Sequence, residues 1–185
     1  DSFDNWTDGV GTRPAENPLA PLVVVNDITA DPISMPVILD TNVVVGGLLS
    51  LQTGSPSKRL MELALADGGE IVPYVTTAIV YEYRRILGML GDDRLEQFYR
   101  LLSRSIIIPI LPDIEIPPVE ADRSDTPFVQ ALVLTRRGLK GNRGSLSRLV
   151  TYDGDLLNMA TATDSAELLK GRIVTPLDFM RELQR

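Results

Sequence analysis

From Met35 onward, short apolar runs alternate with segments in which apolar residues recur every three or four positions. Val37-Ile38-Leu39 is a continuous apolar run, the pattern of a strand buried on both faces. Ile71 to Val75, Ile106 to Leu111, Leu149-Val150-Thr151 and Ile173-Val174 read as four further strands. Ser55-Pro56 offers an N-cap followed by proline at the first helical position. The helix it opens carries Leu60, Leu63 and Ala64 on one side and ends at Gly68-Gly69. Thr76 or Thr77 caps a helix whose apolar face is Ile79, Tyr83, Ile86, Leu87 and Leu90. Asp92 and Asp93 suit the positive end of the next helix, where Leu95, Phe98, Tyr99 and Leu102 keep helical spacing. Three prolines mark 112–124 as a loop, Asp125 opens a helix to about Thr135, and Thr175-Pro176 starts a last short one. Strands alternating with helices predict a mostly parallel sheet covered on both faces.

The first 34 residues follow no such pattern. Their Asp, Asn, Gly, Thr and Pro content predicts irregular chain, with Leu22-Val23-Val24-Val25 able to pair at a sheet edge. They hold six acids and one base, so only −2 of the net charge of −7 belongs to residues 35–185. The expected organisation is therefore an acidic arm, 1–34, and one α/β domain, 35–185. A chain of 185 residues, 44% hydrophobic, suffices for a single core.

Composition then narrows the chemistry. The absence of cysteine excludes disulfides, iron–sulfur clusters and thiolate zinc sites. The absence of histidine excludes Ser-His-Asp triads and histidine general bases. Carboxylates, hydroxyls, amides and cationic side chains remain. No apolar run approaches the roughly 18 residues of a membrane span. The opening stretch also lacks the basic-then-apolar order of a secretory signal, so a cytoplasmic location is the expectation.

In parallel α/β sheets ligands gather beyond the carboxyl ends of the strands. Asp40 ends the first strand and Asp153 follows the fourth, with Asp155 as its competitor. Each alone is as compatible with turn chemistry as with catalysis. Glu82 lies about 60° from Ile79, at the border of an apolar helix face, where a carboxylate needs a partner. The bland alternative is a rim glutamate paired with Arg84 or Arg85. Asp125, with Asp122 as competitor, is on its own a helix cap. Taken together, four acids from two strand ends and two helices predict a site for a hard divalent cation, which would offset their mutual repulsion.

The segments Leu39-Asp40-Thr41-Asn42, Glu82-Tyr83-Arg84-Arg85-Ile86-Leu87, Asp125-Thr126-Pro127-Phe128 and Val150-Thr151-Tyr152-Asp153-Gly154-Asp155-Leu156-Leu157 resemble the PIN-domain family. The likeness covers roughly residues 36–182 and is nearest to the toxin components of prokaryotic toxin–antitoxin systems. It implies a three-layer α/β/α sandwich and a metal-dependent nuclease acting on RNA, with Mg²⁺ or Mn²⁺ as cofactor. Carried over by motif, Asp40, Glu82, Asp125 and Asp153 are the catalytic acids, with Asp40, Asp125 and Asp153 as metal ligands. Asn42 and Thr151 match the supporting polar residues. An antitoxin protein and a homodimer are the implied partners. Tyr152 departs from the family, which often has glycine there, and so narrows the approach to Asp153.

Between Thr126 and Tyr152 there is no acid, while Arg136, Arg137, Lys140, Arg143 and Arg148 are all basic. With Gly138, Gly141 and Gly144 among them, this stretch reads as a mobile basic loop that binds RNA backbone and leads to Asp153. The plainer reading is a solvated loop. Two rival functions are a non-catalytic RNA- or protein-binding module on the same fold and a nucleotide-binding protein. The second is weak, because Gly46-Gly47 lacks the rest of either glycine-rich fingerprint. The acidic arm could also lie over the basic loop and block substrate.

Overall fold

The central strand sets the architecture. In β1 (Met35–Leu39) the consecutive residues Val37, Ile38 and Leu39 are at most 1% exposed. Neighbouring side chains of a strand point to opposite faces, so helices must cover both sides of the sheet. The computed structural model describes residues 34–110, 123–139, 143–161 and 167–185, and shows this arrangement. β1 lies between β2 (Ile71–Thr76) and β4 (Arg148–Val150), with β3 (Ile106–Ile108) outside β2 and β5 (Ile173–Val174) outside β4. All pairings are parallel; Leu39 is level with Val150, and Val37 with Pro73. The order 3-2-1-4-5 reverses between β1 and β4, which opens a crevice at their carboxyl ends.

The α-helices are α1 (Thr41–Leu49), α2 (Pro56–Leu65), α3 (Thr77–Met89), α4 (Asp92–Arg104), α5 (Thr126–Gly138), α6 (Arg143–Leu146), α7 (Gly154–Thr161) and α8 (Pro176–Leu183). The 3₁₀ turn Arg123–Asp125 leads into α5. The predicted start signals mark the helix starts, although Ser55 stands at the N-cap of α2 without a side-chain cap hydrogen bond. Proline occupies the first turn of α2 and α8, and the Thr76 and Thr175 hydroxyls accept the N–H groups of Ile79 and Asp178. Phe98, Phe128 and Phe179 are buried anchors of α4 and α5, which pack on the sheet, and of α8, which packs on α2, each stabilising by roughly 1.5–3 kcal/mol. No helix among the described residues is long and apolar enough to cross a membrane.

Several boundaries differ from the sequence pattern. Helix α1 is not predicted at all, because three valines and two glycines in nine residues are poor helix formers. Packing overrides that propensity: Val43 and Val44 are fully buried, and Gly47 lets α1 lie directly on α2. A Cβ at Gly47 would stand 2.5 Å from the Ser57 carbonyl oxygen. β3 stops at Ile108, and β4 is shifted one residue toward the N-terminus of the predicted strand. The connector read as a basic loop is partly helical: α5 continues to Gly138 and α6 follows at Arg143. Gly144 serves close approach there, since a Cβ would run into the Arg136 carbonyl. Most of the acidic arm, including Leu22–Val25, and the segment 111–122 with Asp122 lie outside the described residues.

Candidate active site

Asp40 leaves β1 in extended conformation, one residue before α1 begins. Its N–H donates to the Val150 carbonyl at 3.0 Å, which extends the β1–β4 ladder and fixes Asp40 in the crevice between those strands. Its side chain is buried, with the residue only 6% exposed. Carboxylate Oδ2 accepts Nδ2 of Asn42 at 2.8 Å and also the hydroxyl of Thr151. Thr151, itself fully buried just past β4, accepts the Asp153 N–H at 2.8 Å. A chain of donors thus runs from the Asp153 backbone through Thr151 to Asp40, each link polarising the next. Asn42 braces it, with Nδ2 at 3.4 Å from Thr151 Oγ1 and Oδ1 accepting the Tyr152 N–H at 3.4 Å.

Glu82 reaches the crevice from α3. Thr41 donates to its Oε1 at 2.6 Å, and among the described residues Glu82 forms no ion pair with Arg84 or Arg85. Burial raises the Asp40 pKa above the ordinary aspartate value, and the charge of Glu82 adds to the rise. The Thr151 hydroxyl and the N–H groups of Asn42 and Thr41 oppose it. Tyr83, one residue on, is buried and donates its hydroxyl to the Leu39 carbonyl. Burial first, then the charges of Asp40 and Glu82, push its pKa well above the usual tyrosine range, so it stays a neutral donor.

Asp153 has a second task. Its Oδ1 accepts the N–H groups of Asp155 at 2.8 Å and Leu156 at 3.0 Å, capping α7. Its competitor Asp155 is exposed and supplies one of those N–H groups. Asp125 stands at the start of α5, which packs against α3, but its side chain makes no cap hydrogen bond. Among the described residues, no three acidic side chains converge closely enough to hold one ion. Of the four expected acids, Asp40 feels the charge of Glu82, and the Asp153 N–H is linked to Asp40 through Thr151.

The basic residues stand elsewhere. β4 runs from Arg148 toward Thr151, and Arg148 is level with Val37, three residues before Asp40, so it stands at the amino end of β4 rather than at the strand ends that carry the acids. Its Nε meets Oε2 of Glu182 at 2.8 Å, and its Nη1 lies within reach of the carbonyls of Ser145, Leu146 and Ser147. Arg136 donates to the Leu168 carbonyl; burial, then the nearby charge of Arg148, lowers its pKa. Arg137 is exposed in the last turn of α5. Asp125 and Arg136 are eleven residues apart along α5, about 16 Å of helix. Lys140 and the Arg143 side chain lie outside the described residues.

Two members of the site escape pattern reading. Thr41 carries no periodic signal, although its place between Asp40 and Asn42 is a usable cue. Tyr83 falls on the apolar face of α3, where periodicity marks it as core and hides the hydroxyl.

The donor atoms are all oxygens, which suits a hard divalent cation. Mg²⁺ commonly takes only one or two carboxylates and keeps several waters, so the absence of a three-acid group among the described residues does not make the donor set unfit for it. A carboxylate whose pKa is raised by burial, and further by a neighbouring charge, carries an electrostatic cost that such an ion would offset.

Comparison with known families matches residues 36–136 to the model of the PIN domain. That span contains Asp40, Glu82 and Asp125 and ends before Asp153. No curated protein and no solved structure matches the chain.

Proposed function

The chain belongs to the PIN-domain family, whose members are generally nucleases, and on that premise we propose that it hydrolyses RNA phosphodiester bonds with the help of Mg²⁺ or Mn²⁺. The observation that carries this reading is the placement of buried Asp40, coupled to Glu82, in the crevice where the strand order reverses. Asp40 and Glu82 would hold the ion, with Asp153 and Asp125 as further candidates. When bound, the ion supplies Lewis acidity toward the phosphoryl oxygens and lowers the pKa of water.

The chain's own residues supply the geometry. Thr151 and Asn42 aim Oδ2 of Asp40, and Thr41 aims Oε1 of Glu82. Tyr83 holds the end of β1 through the Leu39 carbonyl, which fixes the backbone one residue before Asp40. With no histidine in the chain, proton transfer falls to carboxylates and water.

The decisive experiment incubates the full chain with a mixed RNA pool, with Mn²⁺ or with EDTA. Cleavage in Mn²⁺ that disappears in EDTA and in Asp40→Asn is the expected result. RNA that is bound but left intact in Mn²⁺ would instead identify a non-catalytic binding module. The proposal extends to a toxin silenced by an antitoxin protein and pairing as a homodimer, on the strength of the sequence resemblance. Growth arrest on expression, absent for Asp40→Asn, tests that part.

A further inference from the structure

Tyr152 stands between Thr151 and Asp153, the two links of the donor chain that ends on Asp40. Its neighbours are buried or half-buried, yet Tyr152 is 50% exposed. An exposed tyrosine ordinarily moves among staggered rotamers. This one is held at both ends. Its N–H donates to Oδ1 of Asn42 at 3.4 Å, and its hydroxyl lies 2.8 Å from Oγ of Ser57. Ser57 is 2% exposed in α2, and its Oγ is 3.9 Å from where a Cβ on Gly46 of α1 would sit. The tether therefore runs from the carboxyl end of β4 to the place where α1 and α2 meet. It holds a half-exposed aromatic residue whose backbone borders Asp153 and bonds to Asn42, the partner of Asp40.

Resting on the nuclease reading above, we propose that Tyr152 is a stacking platform for a nucleobase of single-stranded RNA, and that this contact sets which phosphate lies at Asp40 and Glu82. Without metal, the carboxylates repel the RNA backbone, so under those conditions affinity near the acids needs a source other than their charge. A π-face provides it for every base, without sequence selection. Tyrosine has few rotatable bonds, and the Ser57 tether orders the ring before binding, so little further ordering entropy is lost on contact. Tyr152 is thus a positioning residue that touches substrate away from the reacting atoms.

The test measures binding, by fluorescence anisotropy, of two labelled strands of equal length to the full chain in EDTA. One is single-stranded RNA; the other is the same ribose-phosphate backbone without bases. The wild-type protein is expected to favour the base-bearing strand by about ten- to a hundredfold. Tyr152→Phe, which keeps the ring, retains most of that preference. Tyr152→Ala loses it while its affinity for the base-free strand stays the same. Should Tyr152→Ala fail to fold, Tyr152→Leu serves in its place, with the same loss expected. Equal or undetectable binding of the two strands by wild type overturns the proposal, as does a preference that survives removal of the ring. Loss of the preference in Tyr152→Phe overturns it too, because the effect then belongs to the hydroxyl. Because no cleavage is needed, an RNA pool left intact in Mn²⁺ sinks the nuclease reading separately and does not decide this one.

Discussion

Thr41 donates its hydroxyl to Oε1 of Glu82 at 2.6 Å, joining the first residue of α1 to α3 across 41 positions of sequence. The bond turns Glu82 toward Asp40, whose pKa registers its charge. Thr41→Val keeps the shape and removes the donor. It is expected to lower Mn²⁺-supported RNA cleavage by about tenfold and stability by about 1 kcal/mol. Thr41→Ser should restore both. Cleavage at the wild-type rate in Thr41→Val would show that the orientation of Glu82 does not matter.

Asp40→Asn separates activity from stability. Asparagine's carbonyl oxygen can still accept the Thr151 and Asn42 bonds, but the charge is gone. Cleavage should fall by at least about a hundredfold. Stability at neutral pH should hold or rise, and the sign follows from linkage. The folded pKa of Asp40 is raised, so between the ordinary aspartate value and that raised value the native state binds more protons than the unfolded one. Wild-type stability from this group is whole below the window and lost as pH rises through it. The variant lacks that loss, so its advantage in thermal unfolding in EDTA should be largest at neutral pH and shrink in acid.

Arg148 and Arg137 are expected to part company. Arg148 is tied to Glu182 and to three carbonyls, so Arg148→Ala should cost about 1–3 kcal/mol of stability with little change in RNA affinity. Arg137 is exposed, so Arg137→Ala should leave thermal unfolding nearly unchanged. If it contacts RNA backbone, the salt dependence of binding should weaken by about one phosphate contact. Melting curves and binding across a salt series distinguish the two.

Gly47→Ala should destabilise by about 1–3 kcal/mol, because its Cβ would press on Met61 and on the Ser57 carbonyl. As α1 begins directly after Asp40, the shift should also reduce cleavage. Gly46→Ala is the control: a Cβ there meets Ser57 only at ordinary contact distance, and its effect on thermal unfolding should be small.

The sequence by itself determined the layered α/β class, since apolar runs such as Val37-Ile38-Leu39 suit only strands covered on both faces. It also determined most helix starts, because caps such as Thr76 and Pro176 act on their nearest neighbours. By lacking histidine and cysteine, it confined the chemistry to oxygen ligands. Tertiary structure alone decided α1, where buried valines and the contact at Gly47 outweigh poor local propensity. It alone decided that Thr41 and Tyr83 serve the site, that the Asp153 carboxylate caps α7 while its N–H joins the chain to Asp40, and that Arg148 pairs with Glu182. Those outcomes depend on strand direction and on hydrogen bonds between residues distant in the chain, and neither leaves a periodic trace in the sequence.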